Sequence, residues 1–562
     1  MENFTAHWVA IATPALLLGV GVAVWVFRFL RRRRNQVSFR HLRGRSLRTA
    51  QQVQEALANT PPNQGIRLGQ YLLPQRVAYG HFAIVGATGS GKTLLQRLLM
   101  QSVLPRIGKG LDQRALIYDA KQDIHSLLGG LGLRCPIATL HPLDARCVAW
   151  DMAADITSPA AALQAATLLV PKAQQDANPF FSNAARHLMS AALLALILQS
   201  PGRWTLRHLL LVLRSESLLR LVLAQTEFTR PLLQYGEHPA TFQNILSTLL
   251  TRIAPFEIIA AAWDRAEHKL SLRAWLEQEA ILILANDEDN RAAIDTINQL
   301  LFKRLSELVL AREERPEESQ RTTWFFLDEV RQAGRLDGLS ALMTKGRSKG
   351  AAVLLGFQDI NGLHEVYGRE AANELVGQCN TKALLRLNSP ETARWASQLF
   401  GASEFLESRR SHSRSRNFRE LGWQQGGSSG ESISNAIAKR ELVLDSEFLD
   451  LPETSFDNGV TGFFLNPLTG AFKHHLPPDW LRQHLRPPDS AGLRRHFLQQ
   501  RLPPSQAQQH AWPKHFTPIA GADVRRRWGP RRAPVRLLTS APTGGRGFMP
   551  GMKYPAWKIV RG

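Results

Sequence analysis

An α/β fold built on a parallel sheet and interrupted by an all-α insertion is predicted by three features of this 562-residue chain. The first is the octapeptide GATGSGKT at residues 86–93, set between the apolar run Phe82-Ala83-Ile84-Val85 and the helically spaced Leu94-Leu95-Gln96-Arg97-Leu98-Leu99. The second is a series of short apolar runs separated by helical stretches, an alternation that implies parallel strands with helices on both faces. The third is an interval, about residues 151–279, in which strand signals stop and helical periodicity takes over, as in Ala184 to Leu194.

In chain order, the first element is a run of twenty uncharged residues from Trp8 to Phe27. At 1.5 Å per residue it spans about 30 Å, the hydrocarbon thickness of a bilayer. Trp8 and Trp25 stand near its ends as interfacial anchors, and Arg28 and Arg31 to Arg34 follow at once. The positive-inside rule then puts the remainder of the chain in the cytoplasm. A cleaved signal peptide carries its positive charge before the apolar core. Here the residues before Trp8 hold Glu2 and no Lys or Arg. The reading is a single-pass transmembrane anchor.

A short helical segment leads to Pro61-Pro62, and strands are then expected at residues 82–85, 115–119 and 136–140. The sheet resumes at 280–284. A long amphipathic helix follows to about Arg312, and then come strands from Thr323 into Asp328-Glu329, at 352–356 and at 383–387. Residues 408–435 are poor in aliphatics and rich in Ser, Gly and Arg, which predicts a mobile surface loop. From about 481 the chain is Pro- and Arg-rich and is expected to be extended or disordered. The resulting plan is an anchor with its basic flank (1–34), a linker (35–74), a nucleotide-binding domain in two parts (75–150 and 280–480), the inserted all-α domain (151–279) and a basic tail (481–562).

Charge placement supports this plan. The formal net charge is +22, yet the first 50 residues hold nine Arg against one Glu and residues 481–562 hold thirteen Arg and three Lys against two Asp. The two ends therefore account for all of it, and the body between them is neutral. Cys135, Cys147 and Cys379 form no C-x-x-C pair, so they read as reduced, buried thiols rather than as a disulfide framework or zinc site.

The octapeptide fits G-x-x-x-x-G-K-[ST] in the strand-to-helix context the motif requires. Gly86, Ala87, Thr88, Gly89, Ser90 and Gly91 form a loop whose N–H groups point at phosphates, helped by the partial positive charge of the following helix N-terminus. Lys92 is expected to reach the β- and γ-phosphates of ATP, and Thr93 to hold Mg²⁺. Two strands end in a carboxylate. Asp119 has no adjacent acid, whereas Asp328 is followed directly by Glu329. Asp328 is accordingly expected on the Mg²⁺ side and Glu329 as the general base for the attacking water. Gln358 ends the next strand, where its amide could sense the γ-phosphate. Arg347, in Lys345-Gly346-Arg347-Ser348-Lys349-Gly350, could serve a neighbouring subunit as an arginine finger or act as an ordinary ion-pairing surface residue.

The segments HFAIVGATGSGKT, ALIYDAKQD, FFSNAARHLMSAAL, SLRAWLEQEAILIL, FFLDEV and TKGRSKGAAVLLGFQDINGLHEVYG resemble, in that order, blocks of the type IV secretion coupling proteins of the TraD/TrwB group. These are membrane-anchored ATPases that pump single-stranded DNA with its attached relaxase into a conjugation channel. The resemblance covers about residues 75 to 400 and returns weakly in ELVLDSEFLDLP and GVTGFFLNP. It implies a RecA-like P-loop NTPase sheet in a homo-hexameric ring at the bacterial inner membrane. It gives Arg347 the trans-acting finger role and Gln358 the coupling of hydrolysis to DNA movement. It makes the insertion the part that receives DNA and relaxase, and makes inner-membrane type IV secretion components partners. The chain departs from the pattern in having one apolar span where the family usually has two, and in its long basic tail.

Other readings make different demands. A chromosome-partitioning translocase of the FtsK type would carry several membrane spans and a C-terminal winged helix, and neither is seen. A recruitment module that uses ATP only to set assembly has no need of a second acid beside Asp328. An ABC-class ATPase would need an LSGGQ-like signature, which the sequence lacks.

Overall fold

The computed structural model describes residues 37–61, 65–141, 144, 147–171, 179–316, 318–416 and 427–489, together with Trp25; for residues 37–39, 409–416 and 427–433 only the backbone is described. Apart from Trp25, the expected membrane span lies outside these residues, as does the tail beyond residue 489. The strands used below are β1 (Val37–Gly44), β2 (Phe82–Val85), β3 (Gln113–Asp119), β4 (Ile137–Leu140), β5 (Ile281–Ala285), β6 (Thr322–Leu327), β7 (Ala351–Phe357), β8 (Thr381–Leu384), β9 (Ala402–Arg416), β10 (Gly427–Glu441), β11 (Val460–Asn466) and β12 (Gly470–Leu476). The helices are α1 (Lys92–Val103), α2 (Pro179–Gln199), α3 (Arg291–Leu310), α4 (Pro390–Phe400) and α5 (Pro478–His484).

Strands β2 to β8 are buried at every position. Runs without polar–apolar alternation suit a parallel sheet covered on both faces. They make one: the order is β12-β11-β8-β2-β7-β6-β3-β5-β4, with β2 to β8 all parallel and the β11–β12 hairpin added antiparallel at one edge. Phe82, Trp324 and Phe326 pack ring against ring in the core, the last two stacked at 5.6 Å between centroids. Because the strands are parallel, their C-terminal ends share one edge of the sheet. Ligand sites of such sheets lie in crevices along that edge.

Between β4 and β5 the chain leaves the sheet. Ala149-Trp150 pairs in parallel with Lys269-Leu270, and the described residues between them are dominated by helices, including α2. Ser158, Thr205, Ser215 and Ser271 each start a helix by accepting the N–H three residues ahead, which satisfies a donor that the helix itself leaves unpaired. Helix α2 is long and apolar enough to cross a bilayer. Its Ala185, Leu188, Ala192 and Leu196 are instead buried, and it packs against the helices Pro159–Leu169 and Pro239–Ile253 as the core of the insertion.

Asp155 clasps the base of this insertion. Fully buried, it accepts from Trp150 Nε1 at 2.7 Å, Ser271 Oγ at 2.9 Å, Leu272 N at 2.7 Å and Arg273 N at 3.1 Å. Arg304 of α3 donates to its backbone carbonyl at 2.8 Å. One carboxylate thus joins the way in, the way out and the sheet domain.

Three expectations change. Where composition predicts a loop at 408–435, β9 and β10 pair antiparallel from Ala402↔Glu441 to Arg416↔Gly427, and β1 pairs along β9. Ser411, Ser413 and Ser415 alternate with His412, Arg414 and Arg416, so the period-2 strand signal is present on polar residues where an aliphatic count cannot register it. The expected linker holds part of the core: Val53, Leu57, Ile66, Leu68 and Leu73 are buried in one cluster with Phe82 and Ile84. The start of the basic tail is docked, with Arg486 N donating to Gln101 of α1 at 3.0 Å and Asp489 N to the Ser126 carbonyl at 2.8 Å.

Candidate nucleotide site

The octapeptide loop joins β2 to α1. Gly89 and Gly91 have φ of +75° and +93°, the left-handed region that glycine alone enters without strain. A Cβ on Gly91 would also meet Thr454 Oγ1 and Val460 Cγ2 at 2.9 Å, so the loop is wrapped by the segment leading into β11. Two neighbouring strands suspend it. Gly86 N donates to the Phe357 carbonyl at 3.3 Å and Ala87 N to the Arg386 carbonyl at 2.8 Å. This second bond explains why β8 ends at Leu384, short of the predicted 387: beyond it the backbone follows the loop.

Lys92, 6% exposed, folds back so that Nζ donates to the Gly86 carbonyl at 2.6 Å and the Ala87 carbonyl at 3.2 Å. Burial lowers its pKa, opposed by the charges of Glu329 and Asp328. Thr93 and Asp328 face each other across the end of the sheet and share one cation. Lys121 Nζ lies 3.2 Å from Asp328 Oδ2 and 3.4 Å from Thr93 Oγ1. Asp328 Oδ1 is buried without a hydrogen-bond partner among the described residues. Asp119, in contrast, is held at its own strand end, where it accepts from Ile124 N at 3.4 Å. Burial pushes its pKa up to about 6.

Glu329 is 4% exposed, and burial raises its pKa. Its Oε2 accepts from Gln358 Nε2 at 3.0 Å, and Gln358 Oε1 accepts from Thr88 Oγ1 at 2.9 Å. A side-chain relay therefore runs from the loop through Gln358 to Glu329. Gly356 makes the approach possible: a Cβ there would stand 2.0 Å from the Asp328 carbonyl, and Val330 N donates to the Gly356 carbonyl at 3.0 Å.

Arg347 does not join this group. It precedes β7, whereas Gln358 follows it, and seven residues at about 3.3 Å put the two roughly 20 Å apart at opposite edges of the sheet. Sequence reasoning missed Lys121, Arg386 and the Glu453-Thr454 segment. Lys121 carried a signal, a cation two residues past a strand end. Arg386 pairs with Glu453 at 3.5 Å, and Thr454 N donates to the Gly89 carbonyl at 3.3 Å, contacts that no local pattern announces.

The chain matches, over residues 66–462, the family described as the type IV secretion-system coupling protein DNA-binding domain. It belongs to that family. The chain is 23% identical over 369 residues to the coupling protein TraD of Escherichia coli (strain K12), a match covering 64% of this chain and 49% of that protein, so it spans about half the length of this curated relative. Among solved structures it is similar to the bacterial conjugative coupling protein TrwBdeltaN70, unbound monoclinic form, with a TM-score of 0.60 at 20% identity over 79% of this chain and 94% of that one. The plasmid coupling protein TrwB in complex with ADP and Mg²⁺ gives 0.59 at 20% identity over 79% and 94%. The fold of this coupling-protein chain is accordingly the RecA-like P-loop sheet with a helical insertion. The family match encloses the octapeptide, the Asp-Glu pair and the insertion, and ends within β11.

Proposed function

We propose that this chain is a membrane-anchored ATPase that couples ATP hydrolysis to translocation of single-stranded DNA, with its attached relaxase, into a type IV secretion channel. The observation that carries the reading is the Thr88–Gln358–Glu329 relay, which ties the phosphate loop to a buried acid in a chain of the coupling-protein family. Among the described residues, an Asp328 Oδ1 without a partner, a loop held open by Gly89 and Gly91, and a Lys92 ammonium satisfied by loop carbonyls together fit a Mg²⁺–nucleotide ligand.

Lys92 would exchange its two carbonyls for phosphate oxygens, and Thr93 and Asp328 would hold the Mg²⁺ that Lys121 now stands in for. Bound Mg²⁺ neutralises charge developing on the transferred phosphoryl group. Glu329 would take the proton of the attacking water, its basicity raised by burial. Gln358, bonded to both the loop and the base, would register the loss of the terminal phosphate. Arg347, too far from its own loop, would complete the site of the next subunit in a hexameric ring. The direct test is the ATPase rate of protein lacking residues 1–34, with and without single-stranded DNA. Stimulation by DNA is expected; hydrolysis indifferent to DNA would leave the motor reading without support.

A further inference from the structure

The far edge of the sheet from the phosphate loop holds a second polar site. A cavity of about 510 Å³ opens at the start of β8, between the turn joining β11 to β12 and the end of β1, and Arg45, Arg48 and Lys382 line it together with Asn380 and Asn466. Among the described residues no carboxylate lines it. Lys382 is only 8% exposed, and among the described residues its ammonium donates to the Cys379 carbonyl alone. Burial and the neighbouring Arg45 both oppose its charge, and the Cys379 thiol, pushed up to about 12, supplies no negative charge near neutrality. Arg45 is fixed by the last carbonyls of α4, donating to Leu399 at 3.1 Å and Phe400 at 3.4 Å. The Arg48 backbone is pinned to the Ala471 carbonyl at 2.7 Å, which leaves its guanidinium beside the Gly470 turn with no ion-pair partner among the described residues.

A buried cation with other cations beside it and no acid is costly unless an anion completes the cluster. Guanidinium forks match the oxygens of a phosphate, and the volume is in the range of small-molecule sites, large enough for a phosphate carrying an organic substituent. We propose that this cavity binds a phosphate-bearing anion, held between Lys382 from inside and Arg48 from the rim, with Arg45 as the preset third cation. The phosphate has two possible sources, an acidic lipid headgroup or free phosphate. Nine residues lie between Gly44 at the cavity rim and the Arg31–Arg34 cluster, a maximum reach of about 35 Å over the ten steps, so a headgroup at the expected membrane surface is within range.

The test uses the full chain in neutral detergent micelles, with Lys92→Ala in every sample so that the phosphate loop does not mask the result. Calorimetric titration compares inorganic phosphate, dihexanoyl phosphatidylglycerol and a short single-stranded oligonucleotide. Saturable one-to-one binding is expected, weakened about tenfold or more by Arg48→Gln and by Lys382→Met, since each removes a charge-assisted hydrogen bond. Tighter binding of the lipid would assign the site to the membrane, and equal binding would assign it to free phosphate; both uphold the proposal. Arg48 is exposed and outside the core, so its variant remains decisive even where Lys382→Met fails to fold. Absence of saturation by any probe, titrations unchanged by Arg48→Gln, or saturation only by the oligonucleotide would overturn it.

Discussion

A carboxylate that takes a proton from water works best with a pKa near the working pH, and burial moves Glu329 that way while the Gln358 amide pulls it back. Each residue can therefore be probed through the other. Glu329→Gln should leave ATP affinity intact and cut turnover by about 10²- to 10⁴-fold, the usual worth of a general base. Equilibrium binding of labelled ATP beside phosphate release separates the two effects, and lost binding would make Glu329 structural. Gln358→Ala should let the Glu329 pKa climb further, because the hydrogen bond to the ionised form disappears. A base is active when deprotonated, so the acid limb of kcat/KM should move to higher pH. An unmoved limb, with turnover reduced, would place Gln358 in coupling rather than in tuning the base.

At the scale of elements, legibility followed the kind of signal each segment carries. Runs buried on both faces, such as Ile281–Ala285 and Ala351–Phe357, are uniformly apolar and could be read from sequence because packing dictates their composition. So could the loop at 86–93, whose chemistry requires fixed residue types at fixed spacing. Strand β9 escaped because its alternation is carried by Ser, His and Arg, and the Glu453-Thr454 wrap escaped because it is a contact across hundreds of residues with no local period. Asp155 was equally silent in sequence, a single acid among many, and only the fold gathers Trp150, Ser271, Leu272 and Arg273 around it. Asp155→Asn keeps the size of the side chain but directs N–H₂ at converging donors, which should cost about 3 kcal/mol. Urea unfolding followed by circular dichroism should show the insertion melting at lower denaturant, with nucleotide binding retained. An unchanged midpoint would mean that the clasp contributes nothing to stability.

For the molecule as a whole, β7 sets the problem of assembly. Gln358 follows it at the nucleotide edge and Arg347 precedes it at the other, so a single chain holds parts of two sites if Arg347 acts across an interface. Arg347→Ala alone and Lys92→Ala alone should each be inactive. Mixed, they should regain part of the activity, because some interfaces then pair an intact loop from one chain with an intact Arg347 from the next. Mixed oligomers verified by mass and still inactive at every ratio would count against action in trans. The pairing of Ala149-Trp150 with Lys269-Leu270 has a consequence of a different kind, one of descent. A detour that begins and ends at the same clasp can be lengthened, reshaped or exchanged while the road it leaves is undisturbed. Lineages can then try new insertions against new cargo on an inherited engine, and the two halves of such a chain need not age at the same rate.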